Sequence, residues 1–191
     1  MPSELVCALI HARQTVMPKR LHAPGPSAEQ LAQIFAAATA APDHGQITPW
    51  RFIIIADSAR AKLSQVFIQA LVARDRAATP PELERAGEKA YRAPLLIVAI
   101  GKTEVDDSPI NNTERLISAG CAIQNMLLVA TAQGFGSAVT SGKALTSPQL
   151  ATLLQLAPDE VPLCFVSIGT AQNTKTRTGR PAVQSIVSTF C

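Results

Sequence analysis

Aromatic residues are scarce in this chain of 191 residues: one Trp, one Tyr and six Phe make up 4%, and charged residues only 16%. With 47% hydrophobic residues and so few charges, a disordered polymer is excluded. The net charge of +3 is too small to support a nucleic-acid-binding surface. Only three histidines occur, His11, His22 and His44, with no i, i+4 pair and no acidic cluster joining them, so no metal centre is expected. Cys7, Cys121, Cys164 and Cys191 stand far apart without a CxxC pair, which argues for reduced thiols over a zinc site or disulfide frame. There is no GxSxG, so hydrolase chemistry has no anchor. Gly134-Phe135-Gly136 lacks the third glycine of GxGxxG and follows a helical pattern, so it reads as a helix C-cap and not as a dinucleotide loop. No signal-peptide pattern is visible, and Gln124, Asn125 and Gln133 break the longest apolar stretches. The expectation is a cytoplasmic protein without a membrane span.

What the chain does have is apolar surface in excess of charge, with a mean hydropathy of +0.18. Its length suits one domain with a sizeable core, residues 1–191. Apolar surface that such a domain cannot bury belongs in a subunit interface or against a cofactor, so a homodimer is expected.

Helical spacing runs over 4–12, and a second helix runs from Ser27, a capping residue with Gln30 at the capping-box position, to about Ala40, where Pro42 stops it. Arg51 to Ala56, with three consecutive isoleucines, reads as a buried strand, and Pro94 to Ile100 as a second one covered on both faces. Helical patterns lie between them at 58–74 and 81–91. A long helix over 113–133 is apolar on nearly every face and therefore central to the domain or to a dimer. A short strand at 137–140, a helix at 147–155 and a strand at 163–168 follow, and 185–190 alternates enough for an edge strand or arm. Helices interspersed with a few apolar strands make the class α+β or α/β, with a small covered sheet.

Four polar clusters remain: Arg13-Gln14-Thr15, Asp43-His44-Gly45-Gln46, Thr140-Ser141-Gly142-Lys143 and Lys175-Thr176-Arg177. The last three abut strand ends, where ligands of α/β sheets sit. Basic and hydroxyl groups suit a phosphate monoester, and an amide such as Gln14 suits a heteroaromatic ring with donors and acceptors.

These clusters carry a resemblance. Arg13-Gln14-Thr15 resembles the R-R-S/T of the FMN-dependent nitroreductases, with Gln14 in place of the second arginine. The segment APDHGQITPWRF, 41–52, resembles their A-P-S/D…P-W-x-F segment, and 117–142 resembles their long central helix with the strand and loop after it. CFVSIGTAQ, 164–172, is similar to their last core strand and turn. The likeness spans nearly the whole chain and is greatest to the compact YdjA-like branch.

The resemblance implies a three-layer fold in which a small, mostly antiparallel sheet is flanked by helices. It also implies a homodimer with the long helix at its interface, FMN bound there, and a C-terminal arm extended to the partner. Carried over residue by residue, Arg13, Gln14 and Thr15 contact the flavin's phosphate, ribityl chain or ring, and Ala138, Val139, Thr140 and Ser141 line the ring. His44 reaches the flavin of the other subunit, while Lys175 or Arg177 adds a phosphate contact. The implied chemistry is hydride transfer from NADH or NADPH through flavin N5 to a nitroaromatic, quinone or similar electron-poor acceptor, with no side chain required as acid or base. Plainer readings stand beside these: His44 as a turn residue, Arg13 as a charge at a helix C-terminus, and Lys175 and Arg177 as a solvated basic loop. Two rival functions are a flavin carrier or sensor without turnover, and an anion-binding scaffold without flavin.

Overall fold

Residues 2–103, 109–172 and 179–190 are described by the computed structural model. Among them the elements follow the order α1 (Ser3–Ala12), β1 (Leu21–His22), α2 (Ala28–Thr39), β2 (Trp50–Ile54), α3 (Arg60–Arg74) and α4 (Pro80–Gly87). After these come β3 (Leu95–Lys102), α5 (Asn112–Ala132), β4 (Gly136–Thr140), α6 (Pro148–Leu153) and β5 (Glu160–Ala171). The strands are antiparallel throughout: β3 lies between β2 and β5, and the far edge of β5 carries β4 and β1.

The middle of β3 is apolar at every position because both sides are covered. Leu95, Ile97 and Ala99 face α2 and α5 together with Val166 and Ile168. Leu96, Val98 and Ile100 face α3 and α6 with Phe165. The architecture is therefore α+β in three layers, helices on both faces of one small sheet. Ile97 and Ile100 are fully buried, and each such side chain contributes about 1.5–3 kcal/mol of apolar burial.

Local signals set the helix ends. Ser27 accepts from the Gln30 amide while the Gln30 side chain accepts from the Ser27 amide, the expected capping box of α2. The C-terminus of α5 closes as a Schellman turn: Gly134 takes φ +87°, its amide donates to Thr131, and the Phe135 amide donates to Ala130. Gly136 has a different task. A Cβ there would lie 2.9 Å from Ala171 and Leu21 and 3.0 Å from Val16, so only glycine lets the segment entering β1 pass over the start of β4.

The C-terminal expectation needs correction. Of the edge strand or arm expected at 185–190, the strand is absent: Val183–Ser185 is a single 3-10 turn and the backbone after it is irregular. Alternation alone does not make a strand when no described strand edge is offered to it. The long helix, expected to be central to the domain or to a dimer, has one face in the core and another exposed. Ser118, Ala119, Ala122, Met126, Leu127 and Ala130 of α5 are buried, whereas Leu116 and Ile117 lie exposed. By length and a mean hydropathy of 1.3, α5 would suffice to cross a bilayer, but its inner face belongs to the core around β3.

Candidate functional site

The polar cluster at the end of α1 is brought to β4 by one parallel bridge, Thr15 to Ser137, in which the Val16 amide donates to the Ser137 carbonyl at 2.8 Å. A strand's backbone groups alternate in direction, so the Val139 amide and carbonyl point to the same outer edge as the Ser137 carbonyl. Beyond the bridge that edge lies open, with Val139 42% exposed and Ala138 buried beneath it. Thr140 and Ser141 continue from there into a cavity of about 490 Å³.

Sheet register explains why the cavity forms at that place. Ser167 of β5 pairs with both Leu96 and Ala138, and Phe165 pairs with both Val98 and Thr140, so residues distant in sequence share one sheet face. Phe67 of α3 packs edge-on against Phe165, with centroids 5.5 Å apart and planes at 82°. Phe67, Leu71, Leu96 and Phe165 give the cavity apolar walls, while Met17 and Pro18 close it from the N-terminal segment. Four cations also line it, Arg74, Lys89, Arg92 and Lys143, and among the described residues no acidic side chain does. Among the described residues none of these four is in an ion pair. Arg60 holds the turn that carries two of them: buried, it donates to the carbonyls of Ala90 at 2.8 Å and Pro94 at 3.2 Å. Burial lowers its pKa, and Asp57 opposes that shift.

The Asp43–Thr48 loop is built at visible cost. Gly45, Gln46 and Thr48 all have positive φ, +70°, +53° and +45°, a region that L side chains avoid and β-branched threonine most of all. The two non-glycine residues together store roughly 2–6 kcal/mol by the usual penalty. Asp43 accepts from the Thr48 amide at 2.8 Å across the loop, while buried Pro49 and Trp50 anchor its end. A Cβ on Gly45 would come within 2.7 Å of Ile110. His44 Nδ1 is 2.6 Å from Glu114 Oε2 near the start of α5. An exposed pair of this kind contributes about 1 kcal/mol at most, too little to offset the strain.

Of the residues expected at the site, Thr15, Ala138, Val139, Thr140 and Ser141 gather around the open end of β4. Arg13 and Gln14 immediately precede the bridge, at the C-terminus of α1. Arg13 is the C-cap there, so its plainer role as a C-terminal charge holds as well. His44 lines no part of the cavity; it is exposed and held to α5. Lys175 and Arg177 lie outside the described residues. Arg74, Lys89 and Arg92 were missed as site residues, and Lys143 was noted only as part of its cluster. Lys89 and Arg92 precede a strand whose neighbours become known only with the sheet register, so no local motif marks them.

Comparison with known proteins bears on the family and the fold. The sequence pattern described as the nitroreductase family matches residues 10–170. The protein named Putative NAD(P)H nitroreductase YdjA, of Escherichia coli, is 33% identical over 153 residues, covering 80% of this chain and 82% of its own. Among solved structures, a nitroreductase-like family protein from Bacillus cereus superposes with a TM-score of 0.83 at 19% identity, over 97% of this chain and 95% of that one. Oxidised iodotyrosine deiodinase, bound to FMN and 3-iodo-L-tyrosine, superposes at 0.69 and 19% identity, over 93% and 96%.

Proposed function

Since the chain belongs to the nitroreductase family and is thereby an NAD(P)H-dependent flavin oxidoreductase, we propose that its flavin is FMN, bound at the open end of β4. The observation that carries this reading is the cavity beside Thr140 and Ser141, with apolar walls and four cations that no acid among the described residues opposes. Such a cavity fits a planar ring attached to a phosphate dianion: Phe67, Leu71 and Phe165 offer the ring apolar contact, and Lys89, Arg92 and Lys143 offer the anion its charge. The outward amide and carbonyl of Val139 suit the polar edge of an isoalloxazine, and Arg13, Gln14 and Thr15 approach from the other side of that edge. Bound there, the flavin supplies hydride acceptance from NAD(P)H and delivery to a nitroaromatic, quinone or similar electron-poor acceptor. The chain's own groups hold the ring flat, keep one face accessible and place positive charge where negative charge develops.

A homodimer completes the site in this reading. No residue of α1 is buried, and its Leu5 and Ile10 stand exposed at 60% and 48% beside Leu116 and Ile117 of α5. Ile186 and Phe190 of the C-terminal segment are exposed at 70% and 101%. So large an apolar surface fits a second copy of the chain, with the C-terminal segment laid over it as an arm. Association would bring His44, already at the edge of α5, to the flavin of the other subunit.

The test is an absorption spectrum of the purified protein with added FMN, followed by anaerobic NADH and then NADPH. Bound-flavin bands that bleach are expected. Bands that persist with both nucleotides would favour a carrier, and failure to bind micromolar FMN would overturn the reading.

A further inference from the structure

The Asp43–Thr48 loop has two non-glycine residues at positive φ, and among the groups it holds in place is the His44 imidazole. Glu114 is well suited to direct it. The Asn111 side-chain amide donates to Glu114 Oε1 at 2.9 Å, and the Glu114 backbone amide donates to Asn111 Oδ1 at 3.1 Å, so the carboxylate is fixed to the N-cap of α5. Its second oxygen, Oε2, is left for His44 Nδ1. The ring nitrogen that meets a carboxylate must carry a proton, and in the neutral imidazole this leaves Nε2 as a lone-pair acceptor.

We infer that Glu114 is a positioning residue. It imposes the Nδ1–H tautomer on His44, so that Nε2 accepts a hydrogen bond from an N–H of a planar ligand presented by the other subunit. The inference rests on the flavin reading for the identity of that ligand, since the isoalloxazine edge carries one imide N–H. It explains three observations together: the positive φ values that fix the loop, the N-cap that fixes the carboxylate, and a histidine whose side chain stays 68% exposed while one nitrogen is occupied. The device resembles the carboxylate partners that set the tautomer of metal-bound histidines, with a hydrogen-bond donor in place of the metal.

Nitrogen-15 NMR of the histidine side chains reads the tautomer directly in alkaline buffer, where imidazole is neutral. It is recorded on the whole protein and on Glu114→Gln and Glu114→Leu, with FMN affinity and thermal midpoint measured alongside. The wild type is expected to show the Nδ1–H tautomer at His44. Glu114→Gln has one acceptor oxygen, which the Asn111 amide claims, so its NH2 faces Nδ1 as a donor and is expected to move the proton towards Nε2 and to weaken FMN binding. Glu114→Leu moves the proton towards Nε2 and weakens FMN about tenfold, the scale of one hydrogen bond, with the midpoint lowered by no more than about 4 °C. An Nε2–H tautomer in the wild type, or a Leu variant with unaltered tautomer and affinity, would overturn the inference. A wild type that takes up no FMN overturns the flavin reading instead, and the tautomer comparison still decides this one.

Discussion

Two regions of this molecule draw on the same apolar residue types and use them in opposite ways. In β3, the run from Leu95 to Ile100 is buried on both faces by helices of the same chain. In α1, the outer side of α5 and the segment 183–190, leucine, isoleucine, valine and phenylalanine stand in the open. The first region is self-sufficient. The second is complementary to something else, and the difference shows that hydrophobicity by itself marks what must be covered without saying by what.

The contrast can be broken by mutation. The largest effect is expected in the sheet: Ile97→Ala, at a fully buried position, loses about 2–5 kcal/mol in urea unfolding. Phe190→Ala, measured on dilute protein, shifts stability by no more than about 0.5 kcal/mol. Comparable losses at both positions would mean that the C-terminal segment belongs to the monomer's own core. Next in size, Ile117→Glu combined with Ile186→Glu is expected to convert dimer to monomer at micromolar concentration while the far-ultraviolet spectrum stays unchanged; sedimentation velocity decides this. Smaller again is the effect of the cavity's charge. Lys89→Glu with Lys143→Glu should weaken FMN binding about tenfold or more at low ionic strength, and added salt should narrow the gap.

The smallest effect sharpens what self-sufficiency means for the sheet. Arg51 of β2 reaches across β3 to grip Glu160 of β5 through two 2.6 Å hydrogen bonds. Chiefly through those bonds, the Glu160 carboxyl is pulled down to about 2 from an ordinary 4.5. A carboxylate depressed in the fold stabilises it fully above its unfolded pKa, and that contribution disappears as pH falls through the folded value. Between about pH 4.5 and pH 2 the wild type should therefore lose about 1 kcal/mol from this pair, after allowance for screening at the half-exposed Arg51. Arg51→Met should flatten that part of an acid-unfolding curve.

Much of this arrangement was legible in the sequence, for reasons that can be named. Ser27, Gln30 and Gly134 act locally, and their caps are where their types predict. The apolar run of β3 has no other stable use; the isoleucine run of β2 does form a strand, but at the sheet edge and not buried as expected, with Ile54 45% exposed. Thr140 and Ser141 could be placed at a cavity from the sequence because one ends a strand and the other follows it. The cations opposite them were not, since Lys89 meets Thr140 only through a register that places Leu96, Ser167 and Ala138 side by side. The partnership of His44 with Glu114 was equally hidden, because nothing near position 44 specifies a carboxylate seventy residues later. Of the two readings of 185–190, edge strand or arm, the strand fails because alternation describes a side-chain pattern and leaves open whether a neighbouring edge is available.

The bridge from Thr15 to Ser137 also bears on time. Residues near one end of the described chain meet β4 there, and Leu21 meets Ala171 of β5 just beyond. Contacts of such long sequence separation form late, after loop closure has been paid in entropy. During synthesis α1 and α2 emerge long before the strands that receive the Thr15–Leu21 segment, so a nascent chain holds helices but no complete cavity. In the proposed reading, cofactor capture would report that the chain has reached β5, and a truncated product would be distinguishable by its lack of colour.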